Sequence, residues 1–193
     1  MISASMTGTV AWPGRDLQVG LADTVPPYLR ALLAQVEPFP AAVRDGRWQL
    51  LAFNRSYDAL FGLTPMPPPS RNALLLYFTD PRLRAQWPDW ELDAGHLVSQ
   101  FRAALARHPG DPAWARLLDR LRRGSPEFDR RWPDGWPLHP GHGPQRFLHP
   151  VVGPLRLAPY QLWSDPHPDG LVATGYTPAD AGTAAKLRIL SGE

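Results

Sequence analysis

The apolar residues of this chain change spacing four times, and each change fixes what the next stretch can fold into. Apolar residues at i, i+3, i+4 and i+7 line one face of a helix; residues on one face of a strand recur every second position. Leu29, Leu32, Leu33 and Val36 follow the helical spacing after Pro26-Pro27, and Pro38 and Pro40 stop the run. Ala42-Val43-Arg44 and residues 47–53 are then strand-like, with Asp45-Gly46 between them. Asp-Gly at that place predicts a hairpin whose two turn residues take positive φ.

The helical spacing returns at residue 54. Asn54 is placed to cap a helix carrying Tyr57, Leu60 and Phe61, with Gly62 at its end. Residues 65–69 form a stiff Pro-rich loop, and Ser70 is placed to cap a short helix through Leu74, Leu75, Leu76 and Phe78. Asp80-Pro81 restarts a helix as cap and first residue. Pro88-Asp89 opens the longest one, with Trp90, Ala94, Leu97, Phe101 and Leu105 in its stripe and Val98 alongside. Asp111-Pro112 opens another, with Trp114, Leu117, Leu118 and Leu121 at helical spacing and Arg122-Arg123-Gly124 at its end. Ser125-Pro126-Glu127 caps the last of the block, burying Phe128 and Trp132.

Residues 132–144 are rich in Pro, Gly and His and read as a loop. Three strand-like runs follow, at 145–149, 155–163 and 171–176, and residues 181–190 form a closing helix with Leu187 and Leu190 inward. A hairpin at the front and a meander at the back join as one sheet. The expected fold is therefore α+β: a PAS-like five-stranded antiparallel sheet with helices covering one face. Residues 1–24 lack a clear period and read as a flexible N-terminal lead to a domain spanning 25–193.

Composition excludes several classes. The chain has 193 residues and no Cys, so disulfides, thiolate metal sites and cysteine nucleophiles are out. No apolar run approaches ~18 residues, so no membrane span is expected. Residues 1–9 lack the charged and apolar regions of a signal peptide, and a cytoplasmic location is the default expectation. Net charge is only +2 with scattered basic residues, a weak pointer to nucleic acid. The cluster Arg120, Arg122, Arg123, Arg130 and Arg131 reads as a solvated helix end rather than a phosphate-binding surface.

An ordered set of residues resembles a known family. The set is Trp48 and Asn54 with Leu60-Phe61-Gly62; Arg71-Asn72 with Phe78 and Asp80-Pro81; Trp90 and the helix through Phe101-Arg102; Ser125, Glu127-Phe128 and Trp132; His149-Pro150, Val152-Gly153; and Tyr176-Thr177-Pro178. In this order and spacing it resembles the MmyB-like ligand-binding domain of bacterial transcription regulators, over roughly residues 25 to 190. The resemblance implies a PAS-like fold, a hydrophobic pocket able to take a fatty-acid-like molecule, and a regulatory role. It also implies a helix-turn-helix domain upstream. Residues 1–24 do not read as one, so no direct nucleic-acid contact is expected from this chain alone; the open alternatives are a stand-alone sensor, a fragment of a longer gene product and a subunit acting through a partner, with a homodimer or a DNA-binding partner as candidate assemblies.

The candidate ligand wall is Trp48, Phe53, Phe78, Trp90, Phe101, Phe147 and Leu157. Each alone is first a core residue. As a set, bulky aromatics on a small sheet pack imperfectly and leave an apolar pocket. Arg102 is the candidate anchor for an acidic lipid, because a guanidinium pairs bidentately with a carboxylate. Arg71 and His149 are the other candidates; Arg71 has as its scaffold role a pair with a carboxylate such as Asp80, and His149 a bond to backbone. No metal is expected from His139, His142 and His149, which lack a convergent ligand set. No Gly-rich phosphate loop and no G-x-S-x-G elbow appear, so no catalytic role and no cofactor beyond a bound lipid is expected. The alternatives are a small His/Asp-dependent enzyme using residues 132–149, and a protein–protein adaptor with a functional helical face.

Overall fold

The structure, a computed structural model, describes residues 18–19, 25–135, 143–163 and 170–192. Its strands are β1 (Gln18–Val19), β2 (Ala41–Arg44), β3 (Leu50–Phe53), β4 (Gln145–His149), β5 (Gly153–Trp163) and β6 (Val172–Pro178). Its helices are α1 (Pro27–Gln35), α2 (Arg55–Phe61), α3 (Ala73–Thr79), α4 (Pro81–Gln86), α5 (Trp90–Ala106), α6 (Pro112–Gly124), α7 (Pro126–Arg131) and α8 (Ala181–Ser191). The expected five strands form one antiparallel sheet in the order β3-β2-β6-β5-β4. The two-residue β1 adds to its edge along β3. Pairing of β2 with β6, Ala42 opposite Thr174, is the seam between the front hairpin and the back meander.

The hairpin departs from the Asp-Gly expectation. Its positive φ falls at Trp48 (62°), not at Asp45 or Gly46. Trp48 N donates to Asp45 O at 3.2 Å, and Asp45 N to Gln49 O at 3.0 Å. That is a three-residue loop whose last residue occupies the left-handed position usually taken by glycine. The Asp45 carboxylate closes it by accepting from Arg47 N and Gln49 N, both at 2.9 Å. A bulge follows: Val43 pairs with Ala52 but Arg44 pairs with Leu50, leaving Leu51 extra. Leu51 and Ala52 consequently share one face, while Leu50 and Phe53 share the other.

The main core lies on the Leu50–Phe53 face, under α2 to α8. The opposite face carries a second cluster in which Leu29 and Leu33 of α1 cover Ala41, Val43, Leu51, Ala52 and Ala173. Caps follow the sequence closely. Asn54, Asp80, Asp111, Ser125 and Asp180 each accept from a backbone N–H in the first turn of the helix they precede. The cap of α3 is Asn72 rather than Ser70. Asn72 is fixed there because its amide also donates to Arg47 O at 2.7 Å.

Gly175 sits where β2, β5 and β6 crowd together. A β-carbon on it would overlap the Pro40 carbonyl oxygen and lie 2.6 Å from the Tyr160 hydroxyl. Gly175→Ala is expected to destabilise by about 2 kcal/mol, because the Pro40 oxygen is backbone and cannot swing away. The measurement is the urea midpoint at unchanged slope; an unaltered midpoint would mean that the strand seam relaxes freely.

Candidate functional site

Alternate residues of a strand face opposite sides of a sheet, so the inner face can be read strand by strand. On β4 it presents Gln145, Phe147 and His149; on β5, Leu155, Leu157, Pro159 and Gln161; on β6, Thr174 and Tyr176. Phe147, Leu155 and Leu157 are fully covered by the core. Gln145, Gln161, Thr174 and Tyr176 are half-buried, because there the helical layer stands off the sheet.

The result is a cleft of about 330 Å³. Its sheet wall is Gln145, Pro159, Tyr160, Gln161, Thr174 and Tyr176, and its helix wall is Asp93, His96, Leu97 and Gln100 of α5. The α5 positions repeat at helical spacing, so one polar stripe faces the sheet beside the buried stripe of Trp90, Ala94, Val98 and Phe101. The Gln100 amide nitrogen and His96 Nε2 lie 2.7 Å apart. Beneath the cleft is a second, apolar space of about 70 Å³ lined by Leu50, Phe61, Leu63, Leu76, Leu83, Trp87 and the rings of Tyr57 and Tyr77. Tyr176 lines both spaces.

Tyr176 is therefore the floor of one and the roof of the other. Burial holds its phenol well above the usual tyrosine range, with Tyr57 and Asp93 adding in the same direction. It stays a neutral hydroxyl at any physiological pH. Burial likewise raises Tyr77, which donates to Trp90 O at 2.6 Å and so ties α3 to the first turn of α5.

The ten residues singled out from the sequence lie elsewhere. Trp48, Phe53, Trp90, Phe101, Phe147 and Leu157 are buried in the main core, and Phe78 packs against it. Most meet in one aromatic chain: Trp48 with Phe101 at 5.9 Å, Phe78 with Trp90 at 6.0 Å and with Phe128 at 5.1 Å. Phe147 joins separately through Trp87 at 4.8 Å and Phe61 at 5.7 Å. Arg71 is a buried clamp for the preceding loop, donating to Met66 O at 2.8 Å and Thr64 O at 3.0 Å. Asp80 pairs instead with Arg82 at 2.8 Å. His149 Nε2 lies 3.0 Å from Ala59 O, while Nδ1 accepts from Val151 N at 3.2 Å. That pattern fits the tautomer protonated at Nε2. Arg102 lies over the Trp132 ring at 4.4 Å, its Nε and Nη2 buried without a hydrogen-bond partner. None of the ten lines either space.

The basic cluster is largely paired: Arg122 with Asp129, Arg123 with Asp119, and Arg131 with Glu127. His139 and His142 lie outside the described residues. Among the described residues no group of three or more His, Asp or Glu is placed to hold a metal ion. No helix among them is long and apolar enough to cross a membrane.

Among known families, the MmyB-like transcription regulator ligand binding domain matches the chain over residues 25–190. No curated protein matches the chain.

Proposed function

We propose, since the chain belongs to the MmyB-like transcription regulator ligand binding domain family, that the cleft between α5 and the sheet is its ligand site. The supporting observation is a half-buried lining that sets the polar groups of Asp93, His96, Gln100, Gln145, Gln161 and Thr174 among apolar surface around a space of about 330 Å³, the size of a small-molecule site, where the helical layer stands off β5 and β6. A ligand there touches α5 and the sheet together. It biases the position of α5, and through the Tyr77–Trp90 bond the position of α3, so occupancy shifts the population of helical-layer arrangements offered to a partner.

The lining favours a compact ligand with hydrogen-bonding edges over a long acyl chain. The apolar space below holds only about 70 Å³, little more than two molecules of water at liquid density. A fatty-acid-like ligand would need Tyr176 to swing and join the two spaces.

The test is a small-molecule thermal-shift screen of the full chain beside Gln100→Trp, which fills the cleft from the helix side. Hits are expected to raise the melting temperature of the parent chain and not of Gln100→Trp. A hit that stabilises both equally would overturn the assignment to this cleft. Organic extraction followed by mass spectrometry separates the acyl reading: a co-purifying acyl chain would favour it over the compact ligand.

A further inference from the structure

Arg44 is the most deeply buried charged side chain among the described residues. It lies on the inner face of β2, two residues from Ala42, and is only 6 % exposed. Arginine is almost never buried to that degree unless a carboxylate pairs with it. Among the described residues no ion pair reaches Arg44. Its Nη1 donates to Asp45 O at 3.1 Å and its Nη2 to Gln161 Oε1 at a long 3.4 Å, while the guanidinium lies 5.0 Å over the Trp48 ring. The acid nearest in sequence, Asp45, is committed to the hairpin through Arg47 N and Gln49 N and to the Arg47 guanidinium at 3.6 Å. Burial lowers the Arg44 pKa to about 10, against the opposing pull of Tyr57 and Asp45. The side chain is thus still cationic at neutral pH, and two hydrogen bonds use only part of a five-donor fork.

Its position gives that spare capacity a direction. To bond Gln161 on β5, the Arg44 side chain crosses β6 along the inner face. Gln161 and Thr174, the residues at the end of that reach, are walls of the cleft. A neutral amide on a long hydrogen bond is a weak partner for a buried cation. It is a suitable placeholder, because it can turn aside for an oxyanion that binds the fork with two short bonds.

We infer that the ligand of the cleft carries a carboxylate or similar oxyanion, and that Arg44, covered by Gln161, is its counter-charge. This rests on the cleft being the ligand site. It selects among ligands by charge, which the assignment of the cleft does not.

The test uses benzoate, phenylacetate and hexanoate, each beside its neutral amide, titrated into the full chain with melting temperature and calorimetry as readouts. At least one acid is expected to bind roughly tenfold or more tightly than its amide, the gap of one charge-assisted hydrogen bond. The gap should close in Arg44→Met. In Gln161→Glu a carboxylate stands where the amide was; that variant is expected to melt higher than the parent and to lose the preference for acids. It also guards against an Arg44→Met that does not fold. An acid preference that survives in Gln161→Glu, or a Gln161→Glu that melts lower, would overturn the role of Arg44. Acids and amides that bind equally, both blocked by Gln100→Trp, would overturn the charge selection and leave the cleft reading standing. Binding that Gln100→Trp does not block would overturn both.

Discussion

Asn54→Ala is expected to remove about 4 kcal/mol of unfolding free energy, a large share of what a single domain has. Asn54 is 1 % exposed and its side chain makes four hydrogen bonds to four segments. Oδ1 accepts from Tyr57 N at 2.9 Å, capping α2, and from Ala41 N at 3.0 Å, at the start of β2. Nδ2 donates to Phe39 O at 2.9 Å and to Leu33 O at 3.2 Å, a carbonyl in the last turn of α1. Alanine leaves two donors and two acceptors buried, and each unsatisfied group costs on the order of 1 kcal/mol or more. Asn54→Asp separates the two halves. It keeps both acceptor bonds but turns an oxygen toward the Phe39 and Leu33 carbonyls, so the protonated carboxyl is favoured in the folded state. Its folded pKa is raised above the unfolded value of about 3.9. Its stability is therefore best preserved at low pH and falls as pH rises through the folded pKa. Urea titrations of the three proteins at pH 4 and pH 8 check both statements; a loss below about 1 kcal/mol for alanine would mean that water replaces the amide.

Asn54 was legible as a helix cap, and only as that. Capping is a local relation over three residues, written in the sequence beside the helix it starts. The bonds to Leu33, Phe39 and Ala41 are long-range, and no spacing encodes them. The same division runs through the fold. Asp80-Pro81, Asp111-Pro112 and Ser125-Pro126 start helices where the sequence places them, and the five main strands fall within or close to the strand-like runs. The hairpin geometry did not follow from Asp45-Gly46, because the three-residue loop puts its left-handed position at residue 48, where a ring packed on Phe101 and Trp114 stands in place of glycine. The aromatic residues were legible as apolar, but apolar spacing alone does not separate a filled core from a ligand wall. The cleft was written in a quieter signal. Asp93, His96, Leu97 and Gln100 repeat at helical spacing next to the buried stripe, and Gln161 and Thr174 put polar groups on the inner face of strands that are otherwise apolar there. A polar stripe flanking a core stripe ordinarily faces solvent, and only the sheet–helix geometry turns this one toward a partner surface.

Trp48 is where tertiary packing overrides local conformation most plainly, and its replacement should show the two terms with opposite signs. The ring is 5 % exposed, with Phe101 at 5.9 Å, Trp114 at 6.4 Å and the Arg44 guanidinium at 5.0 Å. Deleting it to alanine is expected to cost about 4 kcal/mol in lost packing and residual cavity. The backbone at φ 62° opposes that stability, because a β-carbon in the left-handed region costs about 1–2 kcal/mol. Alanine keeps the β-carbon and so keeps the strain; glycine removes it, at some cost in unfolded-chain entropy. Trp48→Gly is therefore expected to be the less damaging of the two, by about 0.5–1 kcal/mol, reversing the usual order in which glycine is worse than alanine. Paired urea titrations of the two variants decide it. If alanine proves the milder change, the loop relaxes out of the left-handed region once the ring is gone, and the positive φ is imposed by the packing of Trp48 rather than by the length of the hairpin loop. If glycine is the milder, the loop itself demands that conformation. Trp48 then carries strain at the hairpin in order to seat its ring against Phe101 of α5 and under the Arg44 guanidinium.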